Sequence, residues 1–135
     1  MLERKNDRNI QDLAKYKFCH EEHAWILGYD KNFNFIKSIE LNKGTFYSVT
    51  FNPDLCFQKT RENNFYYIIM VHNHPDDPFV KPSIEDRNVT LVVLRHLQKM
   101  HVRLYDHLIF GAPDEVYSFR YDLRDKFLNF CNIEE

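Results

Sequence analysis

The sequence has few cysteines and no excess of basic residues, and both shortages narrow the class of protein. Its 135 residues include three cysteines, Cys19, Cys56 and Cys131, which lie far apart and form no Cys-x-x-Cys pair. This argues against a disulfide framework and against a thiolate zinc site, and it favours a reducing compartment. The formal net charge is -2, so a broad basic surface for sequence-independent nucleic-acid binding is not expected.

Long apolar segments are also missing. No apolar run approaches the roughly 20 residues that a membrane-spanning helix needs, and the polar start MLERKNDRNIQD contains no apolar core of a signal peptide. We therefore expect a cytoplasmic protein. The sequence is nevertheless 44% hydrophobic and 16% aromatic, which suffices for one buried core, so we expect a single domain over residues 1–135.

The spacing of apolar residues predicts the element order α-β-β-β-α-β-α-β-β-α. Helices are predicted within residues 1–20, from Pro53 to about Arg61, from Ser83 to about Met100, and over Leu123–Cys131. Strands are predicted over Ala24–Tyr29, Phe33–Leu41, Thr45–Thr50, Phe65–Val71, Leu104–Phe110 and Val116–Tyr121. The continuously apolar segment from Phe65 to Val71 is typical of a central strand covered on both faces. The pattern indicates an α/β fold, a mixed central sheet flanked by helices.

Two histidines end this predicted central strand, and a carboxylate follows in the next helix. Alternate residues of a strand share a face, so His72 and His74 present both imidazoles to one side. Asp86 lies in the first turn of the helix that begins at Ser83. Two imidazoles, one carboxylate and one open position are a common catalytic zinc arrangement.

A plainer interpretation explains the same residues without chemistry. Histidines at a strand end are often ordinary surface or core residues, and Ser83 with Asp86 fits a helix capping box. The two interpretations are compatible, because a capped helix start is a rigid place from which to hold a metal ligand.

Hydrolysis by a zinc site also requires a base, and Glu21 and Glu22 both precede the first predicted strand. Spacing alone does not choose between them. Strand parity favours Glu22, which shares a face with the small residues Ala24 and Gly28 and so leaves room for a site.

Several segments together resemble the RadC-type branch of the JAB/MPN metalloprotease superfamily. Its JAMM motif is an upstream Glu, then His-x-His, then Ser-x-x-Asp. The matching segments are Glu22-x-Ala24-x-Ile26-Leu27-x-Tyr29-Asp30, Gly44-Thr45, Pro53, His72-Asn73-His74-Pro75, Pro82-Ser83-x-x-Asp86 and Asp106-His107-Leu108-Ile109. The resemblance covers a core of roughly residues 20–120 and selects Glu22 over Glu21.

The resemblance implies a cytidine-deaminase-like JAB/MPN fold with one zinc ion per chain. His72, His74 and Asp86 would hold the zinc, with water as the fourth ligand. Glu22 would take a proton from that water and return it to the leaving amine, and Ser83 would donate a hydrogen bond to the oxyanion. The implied activity is that of a zinc metallopeptidase or isopeptidase acting on a protein or peptide, such as a conjugate of a small modifier.

Two alternatives and three departures accompany this hypothesis, and one departure is Asp54, which follows Pro53 where the family usually has Arg. The chain could instead be a RadC-like DNA-repair-associated or nucleic-acid-binding factor without peptidase activity, or a binding scaffold with an idle metal site. The loop from His74 to Asp86 is one residue longer than the family spacing, and Asp77 stands near a family glycine. The pair Asp106 and His107 could support the site or could be purely structural.

Overall fold

A computed structural model describes residues 22–43, 51–75, 77–111 and 115–123. The elements, in chain order, are β1 (His23–Tyr29), β2 (Phe35–Lys43), α1 (Pro53–Asn63), β3 (Tyr67–Asn73), α2 (Ile84–Lys99), β4 (Arg103–Phe110), β5 (Val116–Ser118) and α3 (Phe119–Leu123). None of the helices in these ranges has the length and apolar character needed to cross a membrane.

The five strands form one mixed sheet in the order β2-β1-β3-β4-β5. β1 pairs antiparallel with both β2 and β3, and β5 pairs antiparallel with β4. β3 and β4 run parallel, so α2 is the crossover that joins them. This is the α/β architecture that the resemblance implied, with β3 at the centre.

Helices α1 and α2 cover one face of the sheet. On that face Ile68 and Met70 of β3 pack with Phe57 of α1 and with Val93 and Leu97 of α2. On the opposite face β3 contributes to a second apolar cluster, which consists of Trp25, Leu27, Tyr29, Phe33, Ile69, Val71, Leu108 and Phe110. The prediction of a central strand buried on both sides is therefore confirmed.

The structure corrects the boundaries of three predicted strands. β3 runs over Tyr67–Asn73 and not Phe65–Val71, and β2 begins at Phe35 and not Phe33. β2 continues to Lys43 because its last residue pairs with His23, the first residue of β1. The last predicted strand, Val116–Tyr121, ends at Ser118 and is followed by α3. The Ser118 hydroxyl accepts a hydrogen bond from the Tyr121 backbone N–H at 3.0 Å, as a helix N-cap does.

Three predicted elements lie wholly or mainly outside the described residues. They are the helix within residues 1–20, the strand Thr45–Thr50 and the helix Leu123–Cys131, of which only Leu123 is described.

Candidate metal centre

The end of β3 brings two histidines to the same side of the sheet. His72 is buried and pairs with Ala24 of β1. His74 follows the last residue of β3, and its backbone N–H donates to the Phe110 carbonyl at 2.7 Å, which prolongs the contact with β4. The two rings lie 4.8 Å apart between centroids. Strand parity and a single backbone hydrogen bond therefore fix the pair.

The start of α2 positions the carboxylate. The Ser83 hydroxyl accepts a hydrogen bond from the Asp86 N–H at 3.0 Å, and the Ser83 N–H donates to Asp86 Oδ2 at 2.8 Å. This reciprocal pair is the capping box that the sequence predicted. It orders the Asp86 side chain before any ligand binds.

The two imidazoles and the carboxylate converge on one point. His72 Nε2 lies 3.0 Å from His74 Nε2 and 3.3 Å from Asp86 Oδ1, and His74 Nε2 lies 3.6 Å from Asp86 Oδ2. Ligand atoms held about 2.0–2.2 Å from a tetrahedral zinc ion stand about 3.3–3.6 Å from one another. These three residues thus fit a zinc ion in both donor chemistry and spacing, and they form a group able to hold a metal ion.

The electrostatics of the cluster favour the protonation states that a metal ligand needs. Burial, together with neighbouring His72, lowers the pKa of His74, so this ring is neutral at pH 7. Burial alone would raise the pKa of Asp86, but the hydrogen bond and charge of His72 and the Ser83 N–H outweigh it and lower that pKa below its usual range. A neutral imidazole and an ionised carboxylate are the forms that bind metal.

A small open cleft of about 70 Å³, large enough to hold water, lies beside these three residues. The lining residues are Ala24, Phe51, His72, Glu85, Asp86, Val89 and His107. No sequence pattern singles out Phe51, Glu85 or Val89 for this site, because isolated aromatic, acidic and helix-face apolar residues are common.

The two predicted catalytic residues are not among the described lining residues of the cleft. Glu22 is half-buried and lies one residue before β1. The pairing of β1 with β3 ends at Ala24 with His72, two residues after Glu22. The Ser83 oxygen accepts from Asp86 N, so its own hydroxyl proton is available to a further acceptor.

The sequence left His107 open and missed Thr90, yet both belong to this cluster. His72 Nδ1 lies 2.8 Å from His107 Nε2, and Thr90 Oγ1 lies 2.6 Å from His107 Nδ1. Thr90 stands four residues after Asp86, one helical turn along α2. That spacing was a usable signal for Thr90.

Asp106, in contrast, has a structural role. Its Oδ1 accepts from the backbone N–H groups of His107 and Arg120, and its Oδ2 accepts from the Ser118 hydroxyl. Burial raises the pKa of Asp106 to about 6 against the effect of these donors. Of the two interpretations of the Asp-His pair, the structural one therefore applies to Asp106 and the site-supporting one applies to His107.

Comparison with known proteins adds the family. A family model described as the RadC-like JAB domain matches residues 5–124. A UPF0758 protein of Bordetella petrii is 34% identical over 100 residues, which make up 74% of this chain and 44% of that relative. A UPF0758 protein of Burkholderia cenocepacia is 32% identical over 112 residues, 82% of this chain and 43% of the relative. A UPF0758 protein of Chlorobaculum parvum is 30% identical over 100 residues, again 74% and 44%.

The matched part of this chain thus spans less than half the length of these curated relatives. The family assignment itself rests on a match that covers most of the chain. By that match and by relatives at 30% identity or more, the chain belongs to the RadC-like JAB domain family.

Proposed function

We propose that this chain is a zinc-dependent amide hydrolase, a metallopeptidase or isopeptidase that binds one zinc ion through His72, His74 and Asp86. The supporting observation is the convergence of two imidazoles and one carboxylate at 3.0–3.6 Å from one another. A structural zinc site is usually closed by four protein ligands, whereas three protein ligands and an open position are typical of catalytic sites. The adjoining cleft provides that open side.

Each remaining group has a defined task in this reaction. A zinc ion bound here would acidify a water molecule and polarise the amide carbonyl. The Glu22 carboxylate takes one proton from the attacking water and delivers it to the leaving nitrogen. The Ser83 hydroxyl donates a hydrogen bond to the carbonyl oxygen as negative charge develops on it, and the Asp86 N–H keeps that hydroxyl oriented.

The proposed substrate is a protein or peptide, with conjugates of a small modifier as one class. Two exposed apolar side chains support a peptide-like partner: Phe79 and Ile84 are each 77% exposed, and they stand on either side of the capped start of α2. Exposed apolar side chains of this kind would offer contacts for residues that flank a scissile bond. Specificity is expected to reside in the surface segments 30–35, 52–64 and 75–82, of which the second contains helix α1 and the other two are mainly loop.

The decisive test separates the proposed base from its neighbour. Glu22→Gln and Glu21→Gln remove the same charge from adjacent residues, so each is the control for the other. Untagged, zinc-loaded proteins would be assayed on peptide amides and on lysine-linked isopeptide conjugates, with zinc content measured in parallel. We expect Glu22→Gln to keep its zinc and to lose about 10²–10⁴-fold in rate, the usual contribution of a general base. Glu21→Gln should behave as the unaltered protein.

Two results would contradict the proposal. One is full activity in Glu22→Gln with a loss in Glu21→Gln, which would place the base elsewhere. The other is a zinc-loaded protein that cleaves no amide substrate offered, which would favour a binding module with an idle metal site.

A further inference from the structure

A buried chain of hydrogen bonds leads from the start of α2 to the ring of His72. The Thr90 hydroxyl donates to the Asp86 backbone carbonyl at 2.6 Å. The same hydroxyl oxygen lies 2.6 Å from His107 Nδ1, and His107 Nε2 lies 2.8 Å from His72 Nδ1. This series of hydrogen bonds thus begins at the backbone of one proposed zinc ligand, Asp86, and ends at the side chain of another, His72.

The proton of the Thr90 hydroxyl determines the direction of every hydrogen bond in this buried series. A carbonyl oxygen carries no hydrogen, so the short contact between Thr90 and the Asp86 carbonyl uses the hydroxyl proton. The Thr90 oxygen can then only accept from His107, which must carry its proton on Nδ1. His107 Nε2 is left as an acceptor, so His72 must donate from its own Nδ1.

This assignment determines what His72 presents to the metal centre. With the proton of the neutral ring on Nδ1, the Nε2 lone pair faces His74 Nε2 and Asp86 Oδ1. In the metal-free protein His74 Nε2, at 3.0 Å, can donate its proton to this lone pair, and a metal ion bound here would take the place of that proton.

We propose that Thr90 and His107 are positioning residues that fix the tautomer of His72 for metal binding. The proposal rests on the metal site proposed above and adds the means by which it is prearranged. All three side chains are buried, with 1–6% exposure, so bulk water does not compete for their hydrogen bonds. The His107 ring is also stacked on Phe119 at 4.8 Å with a 5° interplanar angle, which holds its orientation.

The first test removes only the Thr90 hydroxyl, whose proton sets the direction of the other hydrogen bonds. Thr90→Val preserves the shape of the side chain and removes the hydroxyl, whereas Thr90→Ser keeps the hydroxyl and is the matched control. Without the hydroxyl, His107 can adopt the other tautomer and donate to His72, which drives the His72 proton to Nε2. We expect Thr90→Val to weaken zinc binding by about 10-fold, the lower end of the effects seen for outer-sphere partners. Thr90→Ser should bind as the unaltered protein does.

The second test acts on the ring itself. His107→Phe keeps an aromatic ring against Phe119 but offers no acceptor to His72, while His107→Gln places an amide oxygen near the position of Nε2. We expect a loss of zinc affinity of up to about 100-fold for His107→Phe, with most of the affinity retained in His107→Gln. A merely structural role would predict the reverse order, because Phe preserves the packing better than Gln. Affinities would be measured by competition with a chelator of known zinc affinity.

The readout that separates this proposal from the proposed function is the nitrogen spectrum of the histidine rings in metal-free protein. We expect His107 to carry its proton on Nδ1 and to have a bare Nε2, with that preference lost in Thr90→Val. Failure of the unaltered protein to bind zinc would sink the proposed function, while this spectrum would still decide the tautomer. A proton on Nε2 of His107, or unchanged zinc affinity in folded Thr90→Val, would overturn the inference. If Thr90→Val does not fold, the His107 pair and the unaltered protein's spectrum decide.

Discussion

The two long helices begin in similar ways, yet only one of them begins at a site. α1 is capped by Asn52, whose side-chain oxygen accepts from the Leu55 N–H at 3.1 Å, and Asp54 lies in its first turn. α2 is capped by Ser83, and Asp86 lies in its first turn. Both starts therefore place a carboxylate near exposed backbone N–H groups, as the helix dipole favours.

The difference lies in what faces the two carboxylates. Asp54 is exposed to solvent, whereas the Asp86 side chain is 16% exposed and lies within 3.6 Å of both His72 and His74. A cap alone thus contributes stability, and a cap placed against the end of a histidine-bearing strand also holds a carboxylate where a metal ion could bind. The capping and functional interpretations of Ser83 and Asp86 describe the same atoms.

The largest expected effect comes from neutralising the ligand while keeping its shape. Asp86→Asn can still accept the Ser83 N–H through its amide oxygen but loses the charge that a zinc ligand supplies. We expect stoichiometric zinc binding to disappear, with the helix still folded by circular dichroism. Asp54→Asn is the matched control on α1 and should bind zinc normally. Equal affinities in the two variants, measured by calorimetry, would erase the distinction between the two helix starts.

Removal of the two capping side chains sharpens the comparison. Ser83→Ala and Asn52→Ala should each lower the free energy of unfolding by about 1 kcal/mol, the usual value of an N-cap. Only Ser83→Ala should also lower kcat, by about 10²–10³-fold if its hydroxyl stabilises the oxyanion. Denaturant unfolding and amide hydrolysis provide the two readouts. Similar kcat values in the two variants would mean that Ser83 acts only as a helix cap.

The loop that joins the two ligand-bearing elements depends on Gly111. A Cβ at this position would stand 1.9 Å from Val80 Cγ2 and 2.4 Å from the Asp77 carbonyl oxygen, so Gly111→Ala must displace the loop. We expect destabilisation of about 1–3 kcal/mol together with weaker zinc binding. Gly28→Ala is the control, because its Cβ would meet the Phe65 ring at 2.3 Å. It should destabilise the fold to a similar degree and leave the zinc affinity of the folded protein unchanged.

The smallest effect concerns Asp106, a carboxylate whose pKa is raised where that of Asp86 is lowered. With a pKa of about 6 when folded and 3.8 as the ordinary value, the folded state binds more protons between these limits. Stability from this group is therefore full below pH 4 and falls as the pH rises towards 6. Relative to Asp106→Asn, the unaltered protein should gain on the order of 1–2 kcal/mol between pH 7 and pH 4.5. Urea unfolding at both pH values measures this gain. A difference in free energy of unfolding between the two proteins that does not change with pH would contradict the raised pKa of Asp106.

The sequence predicted the parts of this structure that depend on short-range patterns. The apolar run of β3, the helical stripe of α2 and the capping box each reveal themselves within a few residues. His72 and His74 follow from strand parity, and Asp86 follows from its place after Ser83. Local patterns were therefore enough to bring out the three candidate metal ligands and the helix that carries one of them.

The parts that the sequence did not predict depend on contacts between distant residues. β5 ends at Ser118 because the Ser118 hydroxyl caps α3 while donating to Asp106, twelve positions earlier. His107 contacts His72 although 35 positions separate them in the sequence. The pairing of β3 with β4 also shifts its register between Ile68 and Ile69, so counting alternate residues along the two strands does not predict this contact. Contacts of this kind depend on how the strands pair in the folded sheet, which the spacing of residues in the sequence does not determine.

The most direct test of the account is the zinc content of the protein purified without a histidine tag. Elemental analysis after exposure to zinc and removal of excess metal, without chelators, should give one zinc ion per chain. His72→Ala and His74→Ala, prepared identically, should lose it. A content far below one zinc ion per chain in the unaltered protein would contradict the central claim that these three side chains form a metal site.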